Sequence, residues 1–238
     1  MKIDFVIVST DDNPLYSEFW PVVKNLWSNL VGIKPILVKI SDTDEIIESD
    51  ECIIHNLKKV DGIKTGLQSQ IARMFVTKYY KDSVCLTSDI DMLPLSKKYF
   101  TSDIENLNND SMVIFSSDAY KNVNRYPICY NAGKGSLFSE ILQLDVSFEE
   151  YCNRLLSLGW GWGTDELYFG KMINSYYDQS KITKLNRGWS FGVAKDRLDR
   201  IRWKYDPNNF KDQFIDSHSL RPYSTHKTQI DKIVNLVL

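Results

Sequence analysis

Ser83-Val84-Cys85-Leu86-Thr87-Ser88-Asp89-Ile90-Asp91-Met92-Leu93-Pro94-Leu95 is the stretch on which the fold turns. A short apolar run with strand character leads directly into two carboxylates separated by one apolar residue. Side chains alternate along an extended backbone, so Ile90 can enter the core while Asp89 and Asp91 stand together at the strand end. Carboxylates placed in this way can share a hard divalent cation, directly or through water, and the cation can then clamp a diphosphate. The competing reading is an acidic turn that caps the next segment, and for a bare D-x-D tripeptide it is the better one. The flanking sequence has to decide between them.

Upstream, strand-like and helix-like segments alternate. Ile3 to Val8 reads as a strand ending in a polar Ser9-Thr10-Asp11-Asp12-Asn13-Pro14 turn, and Leu15 to Leu30 carries apolar residues at helical spacing. Pro35 to Ile40 reads as a second strand, followed by an acidic stretch at 42–51 and a short run from Cys52 to His55. From Leu67 to Tyr80, Leu67, Ile71, Met74, Phe75 and Tyr79 form one apolar helical face. This rhythm predicts an α/β fold with a mixed, mainly parallel sheet covered by helices, and ligands outside the carboxyl ends of the strands. Ser9 and Thr10, at the end of the first strand, are therefore candidate ligand contacts.

Downstream the pattern is less regular. Met112 to Ser116 and Ile128 to Tyr130 read as strands, and Ser147-Phe148-Glu149-Glu150 has the form of a capping box before a helix reaching Leu158. Gly159-Trp160-Gly161-Trp162-Gly163 interrupts it, Thr164 reads as the cap of a second helix through about Ile173, and 228–238 is again helical in spacing. No repeat or linker divides the chain, so one domain is expected over 1–238.

Composition narrows the function classes. With 29 Lys and Arg against 31 Asp and Glu, the formal charge is -2, which gives no general attraction to nucleic acid or anionic lipid and leaves only a local basic patch open. An aromatic share of 13% argues against disorder, and 238 residues suffice for a sizeable core. The apolar run from Phe5 to Val8 is too short for a signal-peptide core and no other stretch approaches a membrane span, so no transmembrane segment and a cytoplasmic location are expected. Cys52, Cys85, Cys129 and Cys152 lie in apolar segments without C-x-x-C spacing and read as reduced core thiols.

Three further elements give the D-x-D a context: Gln68-Ser69-Gln70-Ile71-Ala72-Arg73-Met74-Phe75, Cys129-Tyr130-Asn131-Ala132-Gly133, and Gly159-Trp160-Gly161-Trp162-Gly163-Thr164-Asp165-Glu166. In this order they resemble the metal-dependent nucleotide-sugar glycosyltransferases of the GT-A fold. The resemblance implies Mn²⁺ or Mg²⁺ held by Asp89 and Asp91 on the pyrophosphate of a nucleotide sugar, with UDP the expected nucleotide. It places Arg73 against the donor, where the alternative is a solvated helix charge. It places Asn131 and Gly133 beside a sugar, where the alternative is a strand-ending turn.

The tryptophan segment resembles a W-G-x-E-D acceptor site, in which an indole stacks on the acceptor and a carboxylate acts as base. Trp160 and Trp162 are the candidate stacking rings and Asp165 the candidate base. Thr164 and Asp165 stand where Gly and Glu are expected, so Glu166 is held as reserve. The residues alone make a related case: glycines around two indoles form an aromatic loop leading into a helix N-terminus that favours a carboxylate. Core tryptophans and a helix-start acid are the plainer alternative.

The resemblance also implies a third metal ligand from the C-terminal part. Of His55, His218 and His226, the first closes a strand, while Asp216-Ser217-His218-Ser219-Leu220-Arg221-Pro222 is a polar loop. His218 is the first choice and His226 the reserve. Arg221 is a candidate phosphate contact, with an ordinary surface arginine as the alternative. The domain then divides into a nucleotide-binding half at 1–95 and an acceptor-binding half at 96–238 that ends in the metal-ligand loop.

The function so implied is transfer of a sugar to a hydroxyl acceptor such as a glycan, with inversion. Retaining transfer, a non-catalytic carbohydrate- or nucleotide-sugar-binding domain, and an aspartyl-phosphate phosphatase are the alternatives. The last would need Asp89 as nucleophile and a later G-D-x-x-x-D, which the chain lacks. A P-loop, a G-x-G-x-x-G turn and a G-x-S-x-G elbow are also missing.

Overall fold

Val6, Ile7 and Val8 have no exposed surface, because their strand lies between two others with helices on both faces of the sheet. The computed structural model describes residues 1–121, 124–211 and 213–238. Its strands are β1 (Phe5–Thr10), β2 (Lys34–Ser41), β3 (Glu45–Glu48), β4 (Ile53–Lys58), β5 (Val84–Thr87), β6 (Met92–Pro94), β7 (Met112–Ile114), β8 (Asn131–Lys134), β9 (Ile182–Lys184), β10 (Trp189–Ser190), β11 (Val193–Ala194), β12 (Arg197–Asp199) and β13 (Asp216–His218). Its helices are α1 (Pro14–Ser17), α2 (Trp20–Asn25), α3 (Thr65–Phe75), α4 (Lys97–Phe100), α5 (Gly135–Leu142), α6 (Phe148–Leu156), α7 (Thr164–Ser175) and α8 (Tyr223–Val237).

Among the described residues, eight strands form one sheet in the order β3-β4-β2-β1-β5-β8-β7-β9. The pairs β1 with β2, β1 with β5, β2 with β4 and β7 with β9 are parallel, while β3, and β8 on both of its sides, run antiparallel to their neighbours. One face packs Trp27, Phe100 and Tyr130 edge to face against each other and against α8, and the other packs Phe75 and Tyr151 under α3, α5, α6 and α7. The result is the α/β class the sequence predicts. A small second sheet, β12-β13-β6, begins one residue after Asp91 and carries the C-terminal part of the site.

Local differences from the sequence reading have physical causes. The single helix expected over 15–30 is broken: α1 stops at Ser17, four residues before Pro21, whose ring cannot follow that carbonyl in an unbroken helix. The chain then continues through α2 into a wide turn at Leu26–Val31 that ends at left-handed Gly32. The acidic stretch at 42–51 contains an unforeseen edge strand, β3, exposed along its length and flanked by Glu45 and Glu48, a charge pattern that discourages pairing with another chain. The strand expected at 128–130 begins instead at Asn131, so the small residues read as a turn lie within the sheet.

Other expectations are met. Ser147 caps α6 by accepting from the Glu150 amide at 3.1 Å. All four cysteines are unpaired thiols, with Cys85, Cys129 and Cys152 buried and Cys52 half-buried. Among the described residues no helix is long and apolar enough to cross a membrane.

Candidate functional site

A cleft of about 460 Å³ opens at the carboxyl ends of β1 and β5, where the sheet order places a ligand. Ser9, Thr10, Arg73, Asp89, Asp91, Trp162, Asp165, Glu166, His218 and Arg221 all line it, which brings segments far apart in sequence to one place. The two hydroxyls are engaged by backbone: Ser9 Oγ donates to the Ser69 carbonyl at 2.5 Å and Thr10 Oγ1 to the Asp11 carbonyl at 3.0 Å.

Arg73 joins the two acidic segments. Its Nη1 pairs with Asp89 Oδ1 and its Nη2 lies 3.2 Å from Asp165 Oδ2. The side chain is almost wholly buried, so it is not a solvated helix charge, and its Nε has no partner among the described residues. Asp165 also accepts from the Glu166 amide at 2.9 Å. Burial pushes its carboxyl up to about 7, against the pull of Arg73. Glu166 is raised too, chiefly by burial, although Arg125 and Tyr120 both hold it.

Asp91 presents Oδ2 to a cationic cluster. Arg200 Nη1 is 3.1 Å away, Arg221 Nη1 3.5 Å and His218 Nε2 3.7 Å. The register of the small sheet sets this up, since Asp199 on β12 pairs with His218 on β13, which pairs with Met92 on β6. Asp199 Oδ2 takes the other ring nitrogen, Nδ1, at 3.2 Å. A carboxylate only accepts, so Nδ1 donates to Asp199, which fixes the ring with Nε2 turned to the Asp91 side, the way a carboxylate orients a ligating histidine. Burial raises the Asp199 carboxyl, but hydrogen bonds from His218 and the Ile201 amide outweigh it and hold the group below its ordinary range.

The donor chemistry of Asp89, Asp91 and His218 suits a hard divalent cation, and the ring orientation fixed by Asp199 supports that fit. Guanidinium groups meanwhile balance both carboxylates, and among the described residues no three acidic, His or Cys side chains are already drawn together as a metal cluster.

Four predicted residues lie outside the cleft lining. Asn131 has no exposed surface and donates to the carbonyls of Pro127 and Ile128 at 2.8 and 3.0 Å. Gly133 serves sheet packing, since a Cβ there would lie 3.2 Å from Met112 Cε. Neither is brought to a sugar-binding surface. Trp160 stays on the loop while Trp162, 65% exposed, reaches the cleft beside Gly66. His226 turns its Nδ1 to Gln229 on α8.

Tyr120, Arg125 and Arg200 line the cleft without having been singled out, and Asp199 supports it from behind. The segments carrying them have no periodicity that marks a site. Only the repeated Asp-Arg of 196–200, in a chain segment close to His218 in sequence, offered a hint.

The architecture is a GT-A-like glycosyltransferase fold. Solved structures that share it include the bifunctional glycosyltransferase WbbM, at 12% identity and a TM-score of 0.53, matching 98% of this chain and 50% of that one. The galactosyltransferase LgtC, solved with donor and acceptor sugar analogues, matches at 9% identity and a TM-score of 0.51 over 98% of this chain and 96% of its own. GlyE of Streptococcus pneumoniae TIGR4 matches at 11% identity and a TM-score of 0.46, over 78% of this chain and 46% of that one. The chain thus spans about half the length of GlyE and WbbM. No protein-family model and no curated protein sequence matches it.

Proposed function

We propose that the chain is a metal-dependent glycosyltransferase that moves a sugar from a nucleoside diphosphate, UDP in the first instance, to a hydroxyl acceptor. The observation that carries this reading is the meeting of Asp89, Asp91 and His218 with the buried Asp165 in one cleft at the carboxyl ends of β1 and β5. Asp89, Asp91 and His218 would hold Mn²⁺ or Mg²⁺, which when bound supplies positive charge against the leaving diphosphate. Arg221 adds a guanidinium to the same end of the cleft, and its stacking over Tyr16 at 4.8 Å holds it there. Trp162 offers an exposed indole to the apolar face of an acceptor sugar. Asp165, with its carboxyl near neutrality, would accept the acceptor proton as the acceptor oxygen attacks from the face opposite the diphosphate, which would invert the anomeric centre.

Retention is the second reading, and one observation favours it: both Asp165 oxygens are already engaged, one by Arg73 and one by the Glu166 amide. The test is calorimetric titration of UDP in Mn²⁺ and in EDTA, followed by NMR of the product's anomeric configuration. Binding should depend on Mn²⁺, and Asp91→Asn should abolish that dependence while the fold remains. Equal binding of UDP to the wild type in EDTA and Mn²⁺ refutes the metal site, and metal-dependent turnover of UDP-sugars excludes a binding-only domain.

A further inference from the structure

Arg200 carries the observation that the proposed chemistry leaves unused. It follows β12 directly, and Asp199 fixes its backbone by accepting from the Ile201 amide at 2.9 Å while also holding His218. Its Nη1 is shared between Asp91 Oδ2 at 3.1 Å and the Ser219 carbonyl at 3.3 Å. Among the described residues its Nε and Nη2 meet no protein acceptor, and the side chain lines the cleft with a fifth of its surface exposed.

The guanidinium donors along the cleft are unevenly used. At one end Arg73 is matched by Asp89 and Asp165, and Arg125 by Glu166. At the other, two guanidinium groups, Arg200 and Arg221, converge on a single oxygen of Asp91. Asp91 and the neighbouring Asp199 balance the two guanidinium groups in number, but only Asp91 pairs with them, so that end keeps unused donors. Forked N–H donors in excess, beside a strand-end carboxylate, suit an anion with several oxygens.

Resting on the glycosyltransferase reading, we propose that Arg200 is a second phosphate-binding residue, and that with Arg221 it guards Asp91 so that diphosphate and divalent cation bind cooperatively. With no anion bound, the guanidinium groups occupy the oxygen a cation needs and repel the cation itself. A diphosphate offers them better acceptors, draws them off Asp91 and releases the carboxylate to the metal. Linkage makes the coupling mutual, since a cation on Asp91 displaces the guanidinium groups toward the phosphates.

The proposal gives two effects of opposite sign. Removing the guanidinium should weaken UDP at saturating Mn²⁺ by about tenfold, the scale of a lost charge-assisted hydrogen bond, yet should tighten Mn²⁺ alone severalfold. A residue that merely braces the small sheet would weaken both ligands together. The experiment is calorimetry on the full chain for wild type, Arg200→Gln and Arg200→Lys, titrating Mn²⁺ alone and then UDP in Mn²⁺, with near-ultraviolet circular dichroism as the folding control. Arg200→Lys keeps the charge and should fall between the other two, and it serves as the test if Arg200→Gln does not fold. Parallel losses, or no change in Mn²⁺ affinity without UDP, would overturn the role of Arg200. Failure of the wild type to bind UDP in Mn²⁺ would instead remove the glycosyltransferase reading on which that role rests.

Discussion

Two acid–arginine clusters lie on either side of His218, built from the same chemistry to different ends. In the first, Arg187 and Arg197 each grip Asp216 through two nitrogens at 2.7 to 3.0 Å, and Asp216 has no exposed surface. In the second, around Asp91, contacts lengthen to 3.1, 3.5 and 3.7 Å, the partners are partly exposed, and donors are left over. Asp216 and His218 are two residues apart on β13, so the closed cluster anchors the strand that carries a member of the open one. A buried ion pair with both partners satisfied holds a geometry, whereas one left slack at a cleft can exchange partners when a ligand arrives.

The largest effect should come from breaking the closed cluster. Asp216→Ala leaves Arg197 without its carboxylate and Arg187 with Asp196 alone, and breaking a buried pair in this way costs about 3 to 5 kcal/mol. The loss reads directly as a fall in the urea midpoint. Asp91→Asn should shift the midpoint by only about 1 kcal/mol or less, since Arg200 and Arg221 reach solvent. Comparable losses from the two substitutions would erase the distinction between anchor and exchange site.

Next in size is the acid at the other end of the cleft. Asp165→Asn should leave UDP binding in place while transfer falls about 10²-fold or more, the scale for losing a general base, and Glu166→Gln should be milder. Reversal of that order would give the role to Glu166. If neither substitution matters and NMR shows a retained anomeric configuration, the inverting mechanism fails. Smaller again, His218→Ala should weaken Mn²⁺-dependent UDP binding about tenfold or more, since disturbing even the outer shell of a metal site costs at least about tenfold, with His226→Ala near wild type. Equal effects would retire His218.

How much of this was readable in the chain depends on the range of the interactions involved. The apolar run of β5 was legible, but Asp89 and Asp91 lie in the turn after the strand, where the Met92 amide donates to the Asp89 carbonyl, so strand alternation does not position them. The Asp165 helix start was legible because glycines and indoles punctuate it, whereas 216–218, read as part of a polar loop, form β13 through pairing with β12 and β6. Arg200, Arg125 and Asp199 were not legible, because they owe their positions to pairings across the chain, such as Asp199 with His218 and His218 with Met92. Asn131 and Gly133 show a different obstacle: small residues that permit close approach to a sugar also permit close packing against Met112 inside a sheet. Pro21 carried a legible break in the first helix that its apolar spacing concealed.

The two regions should also respond to pH with opposite slopes. Burial raises the Asp216 carboxyl, but Arg187 and Arg197 outweigh it and hold the group far below the ordinary carboxylate range. Its stabilising contribution is therefore complete above the unfolded value of about 4 and is lost as pH falls toward the folded value. Burial holds the Asp165 carboxyl up near 7, so the folded protein binds a proton there that the unfolded chain has already released. That contribution is complete below about pH 4 and is lost as pH rises through about 7. Asp165→Asn removes a group that must ionise while buried, so the stability of the variant relative to wild type should improve between about pH 5 and pH 8. Asp216→Asn should leave that interval flat and change the acid limb instead. Urea midpoints of the three proteins across this range decide the matter, and a constant offset between wild type and Asp165→Asn would show that Arg73, rather than burial, governs the Asp165 carboxyl.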